Sequence, residues 1–190
     1  MTKALYEQIF VPQLPELSAA LKAGPWLDVG CGVACATLTL ASMYPEMEAV
    51  AIELVPTVAA ETVRRAEAFG VTDRIDVRVM DARALDEPDR SSGAFWAPPF
   101  FPEQTRVETL AMLLRVLKPG GVLLMQEIEP EPDEAGRSAY TLRKLVAQGW
   151  GVPFGRTAEQ LADEARTAGF EIDRLARTDF GRLVIARRPA

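Results

Sequence analysis

Histidine is absent from this chain of 190 residues. Its absence removes both the commonest general base near neutral pH and the commonest metal ligand. Cysteine occurs only twice, at Cys31 and Cys35. The spacing allows only a very small disulfide loop, and two thiols alone make no zinc site, so both read as small buried residues. No stretch approaches the roughly 20 apolar residues that span a bilayer. The opening Met-Thr-Lys-Ala-Leu-Tyr-Glu-Gln lacks the apolar core of a signal peptide. The expectation is a cytoplasmic protein with no membrane partner. Lysine is scarce, 4 residues against 17 arginines, and the net charge is −6. The arginine and alanine excess fits GC-rich bacterial coding. The negative charge opposes nucleic-acid binding, which usually needs a basic face. That charge is concentrated in Glu127, Glu129, Glu131, Asp133 and Glu134, with no base among them.

What is present is an alternation of strand and helix patterns. Trp26 to Gly30 is a short apolar run ending in glycine, as in a buried parallel strand. A helix over Ala34–Met43 and a strand over Met47–Glu53 follow. Pro56 fits the first turn of a helix continuing through Val58–Phe69, and Gly70 stops it. Ile75–Met80 is the third strand, residues 82–92 a loop, and Ala94–Ala97 the fourth strand. Pro102 opens a helix running to Leu117, and the turn Lys118-Pro-Gly-Gly121 leads into a fifth strand, Val122–Ile128. A helix over Ala135–Ala147 precedes another that starts at Thr157 with the capping-box pattern Thr-Ala-Glu-Gln. Phe170–Arg177 and Phe180–Arg187 close the chain as a hairpin.

This order predicts one α/β domain over residues 1–190. Its core, residues 24–190, is a doubly wound, mostly parallel seven-stranded sheet with an antiparallel last strand, in three layers. Residues 1–23, carrying Tyr6, Phe10 and two prolines, form either a helical lid over the site or a covering for the sheet edge.

Ligands of such sheets bind beyond the carboxyl ends of the strands, where strand order reverses. Three acids stand at three successive strand ends. Asp28 is two residues before Gly30, so it shares that side of the strand and can order the loop or accept from a ligand ammonium. Glu53 ends the second strand, where a carboxylate can accept both ribose hydroxyls. Asp81 ends the third, within reach of an adenine amino group. Gly30 and Gly32 allow a tight turn and close backbone approach. Three carboxylates suit a neutral or cationic nucleoside and repel a pyrophosphate. A dinucleotide fingerprint also wants a third glycine at position 35, where Cys35 stands.

With these features together, the chain resembles the class I S-adenosylmethionine-dependent methyltransferases. Trp26-Leu-Asp-Val-Gly-Cys-Gly-Val-Ala34 looks like their glycine-rich loop, Ala51-Ile-Glu-Leu54 like their ribose-holding acidic motif, Met80-Asp-Ala82 like their adenine-contacting segment, and Leu117-Lys-Pro-Gly-Gly121 like the turn before their fifth strand. The resemblance implies a Rossmann-like methyltransferase fold and S-adenosylmethionine, or S-adenosylhomocysteine, as cofactor. It assigns Asp28, Gly30, Cys31, Gly32, Glu53, Leu54, Asp81, Ala82 and Trp96 to the cofactor.

Two departures from the family stand out. Ala34 replaces a frequent glycine. Trp96-Ala-Pro-Pro-Phe-Phe101 is similar to the Asn/Asp-Pro-Pro-aromatic motif of methyltransferases acting on planar nitrogens, but Ala97 replaces the residue that accepts from the target amine. This argues against base or glutamine methylation. Metal-dependent catechol-type relatives place a metal ligand where Ala97-Pro98 stands, so no metal is expected.

Trp96, Phe100, Phe101 and Glu127 are the expected substrate-pocket residues, and an aromatic face there can favour a sulfonium. No catalytic residue is assigned; Glu127 and Tyr6 are the candidates for a polar assisting group. The expected activity is methylation of a small molecule, in specialised biosynthesis. A methyltransferase fold reused for cyclisation or elimination, and a non-catalytic partner subunit in a homo- or heterodimer, are the rival readings.

Overall fold

The computed structural model describes residues 3–127, 132–152, 154–179 and 181–190. Seven strands form one sheet: β1 (Trp26–Val29), β2 (Ala49–Glu53), β3 (Ile75–Val79), β4 (Ser91–Trp96), β5 (Leu117–Gln126), β6 (Glu171–Thr178) and β7 (Gly181–Arg187). Their order is β3-β2-β1-β4-β5-β7-β6. The pairs from β3 through β5 are parallel, whereas β7 runs antiparallel to both β5 and β6. This is the expected seven-stranded arrangement with an antiparallel last strand, the Rossmann-like methyltransferase fold. The chain winds outward from β1 to β3 and then returns to β4 on the other side of β1. The switch point therefore lies between β1 and β4.

Helices cover both faces. Along β1, Leu27 and Val29 point into one core, with Leu110 and Leu113 of α4 (Arg106–Val116) and Leu161 and Ala162 of α6 (Ala158–Thr167). Trp26 points into the other, with Leu17 and Leu21 of α1 (Pro15–Ala23) and Leu38 and Leu40 of α2 (Cys35–Met43). The period of two carries Asp28 onto the α2 side.

Local chemistry sets the helix ends. In α3 (Pro56–Phe69), Pro56 occupies the first turn, and Gly70 ends the helix at φ 68° while its N–H bonds back to Ala66 and Glu67. At α6, Thr157 accepts from Gln160 N–H and the Gln160 side chain accepts from Thr157 N–H, completing the capping box.

Several boundaries differ from the sequence reading. β4 starts at Ser91 rather than Ala94. Ser92 looked like loop, yet its hydroxyl donates to Ala20 O at 2.8 Å, so it is buried without an unpaired group. Gly93 is also strand, because the Trp26 ring occupies the place of a side chain there. A 3₁₀ turn, Glu103–Thr105, precedes α4. The fifth helix, α5 (Arg137–Gly149), starts two residues later than expected and contributes no buried residue.

Ahead of α1, residues 3–13 form short turns, including a π-helical one at Tyr6–Phe10. Alpha1 packs on β4 and β5, so this segment lies on a sheet face. None of residues 3–23 borders the cavity described next.

Candidate cofactor site

At the carboxyl ends of β1, β2, β3 and β4 lies a cavity of about 780 Å³. Asp28, Gly30, Cys31, Gly32, Glu53, Leu54, Asp81 and Ala82 all line it. Eight of the nine residues assigned to the cofactor from the sequence are thus brought together.

The β1–α2 loop is built from left-handed residues: Gly30 (φ 69°), Gly32 (φ 56°) and Ala34 (φ 49°). Ala34 therefore occupies a backbone conformation that favours glycine, and its buried methyl joins the core under α2. Glu53 staples the loop. Its Oε2 accepts from Gly32 N–H at 3.0 Å and its Oε1 from Val55 N–H at 2.9 Å. Thr62 on α3 donates to Gly32 O at 2.7 Å. Each Glu53 oxygen keeps a second lone pair for a hydroxyl.

Asp28 is buried and accepts from Thr37 Oγ1 at 2.6 Å. Burial pushes its pKa up to about 6, against the opposing Thr37 hydrogen bond, and the Glu53 charge adds to the rise. Asp81 differs because Arg83 grips it, with Nη2 to Oδ2 at 2.6 Å and the Arg83 N–H to Oδ1 at 2.9 Å. The guanidinium holds its carboxyl below the ordinary carboxylate range. Arg83 also reaches Glu108 on α4 at 2.7 Å.

Cys31 is half-buried, and burial, with the Asp28 and Glu53 charges behind it, pushes its thiol up to about 12. Cys35 is exposed, not buried as expected, because the first turn of α2 faces outward there; Arg65 donates to its sulfur at 3.2 Å.

Trp96 does not line the cavity. Its register partner is Val29, so it points to the α4–α6 core and is fully buried. Phe95, paired with Asp28, takes the cavity wall instead. Phe101 and the exposed Phe100 do line the cavity. The Phe101 ring stands edge-on to Trp96 at 5.5 Å, and the Arg106 guanidinium lies over Trp96 at 5.4 Å while donating to Pro98 O at 2.8 Å.

Glu127 also departs from expectation. Its carboxylate pairs with Arg182 at 2.6 Å and accepts from Ala158 N–H, at the N-terminus of α6, at 3.2 Å. Gln126, one residue earlier and on the opposite side, lines the cavity. Glu129 and Glu131 lie outside the described residues. Tyr6 lines a smaller adjoining hollow; burial first, then the Asp28 and Cys35 charges, push its phenol up to about 12. Phe95 and Gln126 are among the lining residues missed. Each follows from strand parity once one cavity-facing neighbour is known.

Fold and site together define the methyltransferase class, and the comparisons agree. The family model described as "Methyltransferase domain" matches residues 27–121, half of the chain. The chain belongs to the class I S-adenosylmethionine-dependent methyltransferase family. It is 32% identical over 117 residues to the ubiquinone/menaquinone biosynthesis C-methyltransferase UbiE of Dinoroseobacter shibae, covering 61% of this chain and 47% of that protein. It is 28% identical over 160 residues to the 2-methyl-6-phytyl-1,4-hydroquinone methyltransferase of Synechocystis, covering 81% of this chain and 48% of the relative. The chain thus spans about half the length of these curated relatives. An O-methyltransferase family protein from Burkholderia thailandensis shares the fold, with a TM-score of 0.78 at 18% identity over 99% of this chain and 57% of that one. No helix among the described residues is long and apolar enough to cross a membrane.

Proposed function

We propose that this chain transfers the methyl group of S-adenosylmethionine to a small-molecule acceptor in a biosynthetic reaction. The observation that carries the reading is the convergence of Asp28, Glu53 and Asp81 around one glycine loop, on a cavity of about 780 Å³, within the range of pockets that enclose small ligands. The residues present fit the cofactor. A built Cβ on Gly32 meets open space, so a ligand can approach the backbone there. The carboxylates suit a ligand carrying an ammonium and a sulfonium. In this reading Asp28 holds the ammonium side, Glu53 the ribose hydroxyls and Asp81 the adenine amino group.

The cofactor supplies, when bound, a methyl group already activated by positive sulfur. The chain then has to align and desolvate, and alignment alone can contribute about 7–11 kcal/mol. Phe95 and Phe101 exclude water and offer aromatic faces to a cation. Gln126 is the polar side chain on the β5 side of the cavity. One curated relative is named as a C-methyltransferase of ubiquinone/menaquinone biosynthesis and the other as a 2-methyl-6-phytyl-1,4-hydroquinone methyltransferase, which supports a small-molecule acceptor.

Calorimetric titration with S-adenosylmethionine and S-adenosylhomocysteine tests the reading. Micromolar binding of both is expected, and no binding of either at millimolar concentration overturns it. A second reading, a fold reused for cyclisation or elimination, is favoured by Ala97 at the end of β4 and by the diversion of Glu127 to Arg182. It is separated by product mass, which rises by one methyl group only in the first reading. Leu142, Leu145 and Trp150, exposed on and after α5, support self- or partner association, measurable by analytical ultracentrifugation.

A further inference from the structure

Beside the cofactor cavity, between the N-terminal turns, α2 and the sheet, lies a second hollow of about 170 Å³. Ala36, Phe95 and Gln126 line both, so the two adjoin. Dry cavities of about 150 Å³ lined by aliphatic and aromatic side chains take up benzene. The walls here are of that kind, with Leu17 and Trp26 among them, and none of the described lining residues is charged.

The polar groups are few and specific. Thr37 already donates its hydroxyl to Asp28. Tyr6 is 6% exposed, yet no hydrogen bond to its hydroxyl occurs among the described residues. Its oxygen is not one of the sealed-off polar atoms without a partner, so it borders space that a small polar group can reach, and a ligand oxygen there can accept from it.

From this we infer that the hollow seats the methyl acceptor's single oxygen-bearing aromatic ring, a phenol or quinol, with Tyr6 as its hydrogen-bonding partner and Ala36, Phe95 and Gln126 at the opening toward the cofactor. The inference rests on the methyl-transfer reading for its biological role, but the ring site is testable without turnover. Tyr6 is a positioning residue here: it fixes the ring, and the reacting atom lies nearer the opening. An acceptor bearing a carboxylate or phosphate on that ring is excluded by the uncharged walls.

The test is calorimetric titration of phenol, benzene and benzoate into protein saturated with S-adenosylhomocysteine, with the fluorescence of buried Trp26 as a second signal. Phenol should bind one to one, and benzoate at least tenfold more weakly. Tyr6→Phe, which preserves shape, should weaken phenol about three- to tenfold and abolish its preference over benzene. Leu17→Phe, which fills the hollow, should abolish binding of both rings. Both variants should bind S-adenosylhomocysteine within twofold of the parent. No phenol binding to the parent, or equal binding to the parent and Tyr6→Phe, overturns the ring site. Phenol binding without any S-adenosylhomocysteine binding instead overturns the cofactor reading and leaves the ring site standing, so the two failures are distinct.

Discussion

The ring of Phe101 lies over Gly30 so closely that a Cβ built on the glycine would stand 2.8 Å from the Phe101 Cζ. The loops after β1 and β4 are thereby interlocked. Gly30 is needed twice over, once for its φ of 69° and once for the space the ring takes. Trp96, which the sequence reading put in the pocket, backs this contact from behind. It shapes the site without touching the cavity.

Gly30→Ala should therefore destabilise the chain by about 2 kcal/mol or more, combining left-handed strain of about 1–2 kcal/mol with the clash. In a Phe101→Ala background only the strain should remain. A denaturant double-mutant cycle should then give a coupling of about 1 kcal/mol or more. Additive effects would show that the ring moves aside freely. Gly32→Ala, with open space around its Cβ, should show strain alone.

Asp28 makes stability depend on pH. Its folded pKa of about 6 stands above the ordinary 3.8. The contribution of a raised acid is fully present below about 3.8 and is lost as pH rises through about 6. Above that pH the chain carries a buried carboxylate at a cost of about 3 kcal/mol. Asp28→Asn keeps an acceptor for Thr37, so it should melt higher than the parent at pH 7.5 and nearly equal to it at pH 4 by scanning calorimetry. The same substitution should weaken S-adenosylmethionine. In the parent, affinity should rise from pH 5 to 7.5 as the carboxylate ionises. A flat profile in both measurements would rule out Asp28 as the titrating group.

Glu127 and Arg182 form an asymmetric pair, the carboxylate 3% exposed and the guanidinium 30%. Arg182 has a second partner in Glu159 at 2.6 Å. Removing the exposed partner strands a buried charge, and removing the buried one does not. Arg182→Met should therefore cost about 2–4 kcal/mol, and Glu127→Gln clearly less, because the amide still accepts from Ala158 N–H. Neither should change S-adenosylhomocysteine affinity by more than about threefold, since neither residue borders the cavity. Chemical denaturation and calorimetry check both. A tenfold loss of affinity in Glu127→Gln would return Glu127 to the site.

The pattern of legible and illegible features has one physical root. Strand ends carrying Asp28, Glu53 and Asp81 were readable because motif spacing and a buried apolar run both mark them. Which face a residue takes depends on parity, so an error of a single position exchanges pocket for core. That is how Trp96 was taken for Phe95 and Glu127 for Gln126. Ser92 and Gly93 hid the start of β4 because a backbone hydrogen-bond acceptor and a neighbouring ring, both remote in sequence, make them buriable. The Tyr6 hollow had no local signal at all, since its walls come from the N-terminal turns, α1, α2 and three strands.

The two cysteines should separate by reactivity. Cys35 is exposed beside the Arg65 guanidinium. Cys31 lines the cofactor cavity, and its thiol is held up to about 12, which suppresses the thiolate that reacts. With N-ethylmaleimide at pH 7.5, intact-mass spectra should show one adduct forming at least tenfold faster than a second, and peptide mapping should place the first on Cys35. Saturating S-adenosylhomocysteine should slow the second adduct further, because a ligand in the cavity covers Cys31, and should leave the first unchanged. Equal labelling rates at the two sites, or protection of Cys35 rather than Cys31, would contradict the placement of the cofactor over the β1–α2 loop. That result would bear directly on the orientation of the ligand and not merely on its affinity.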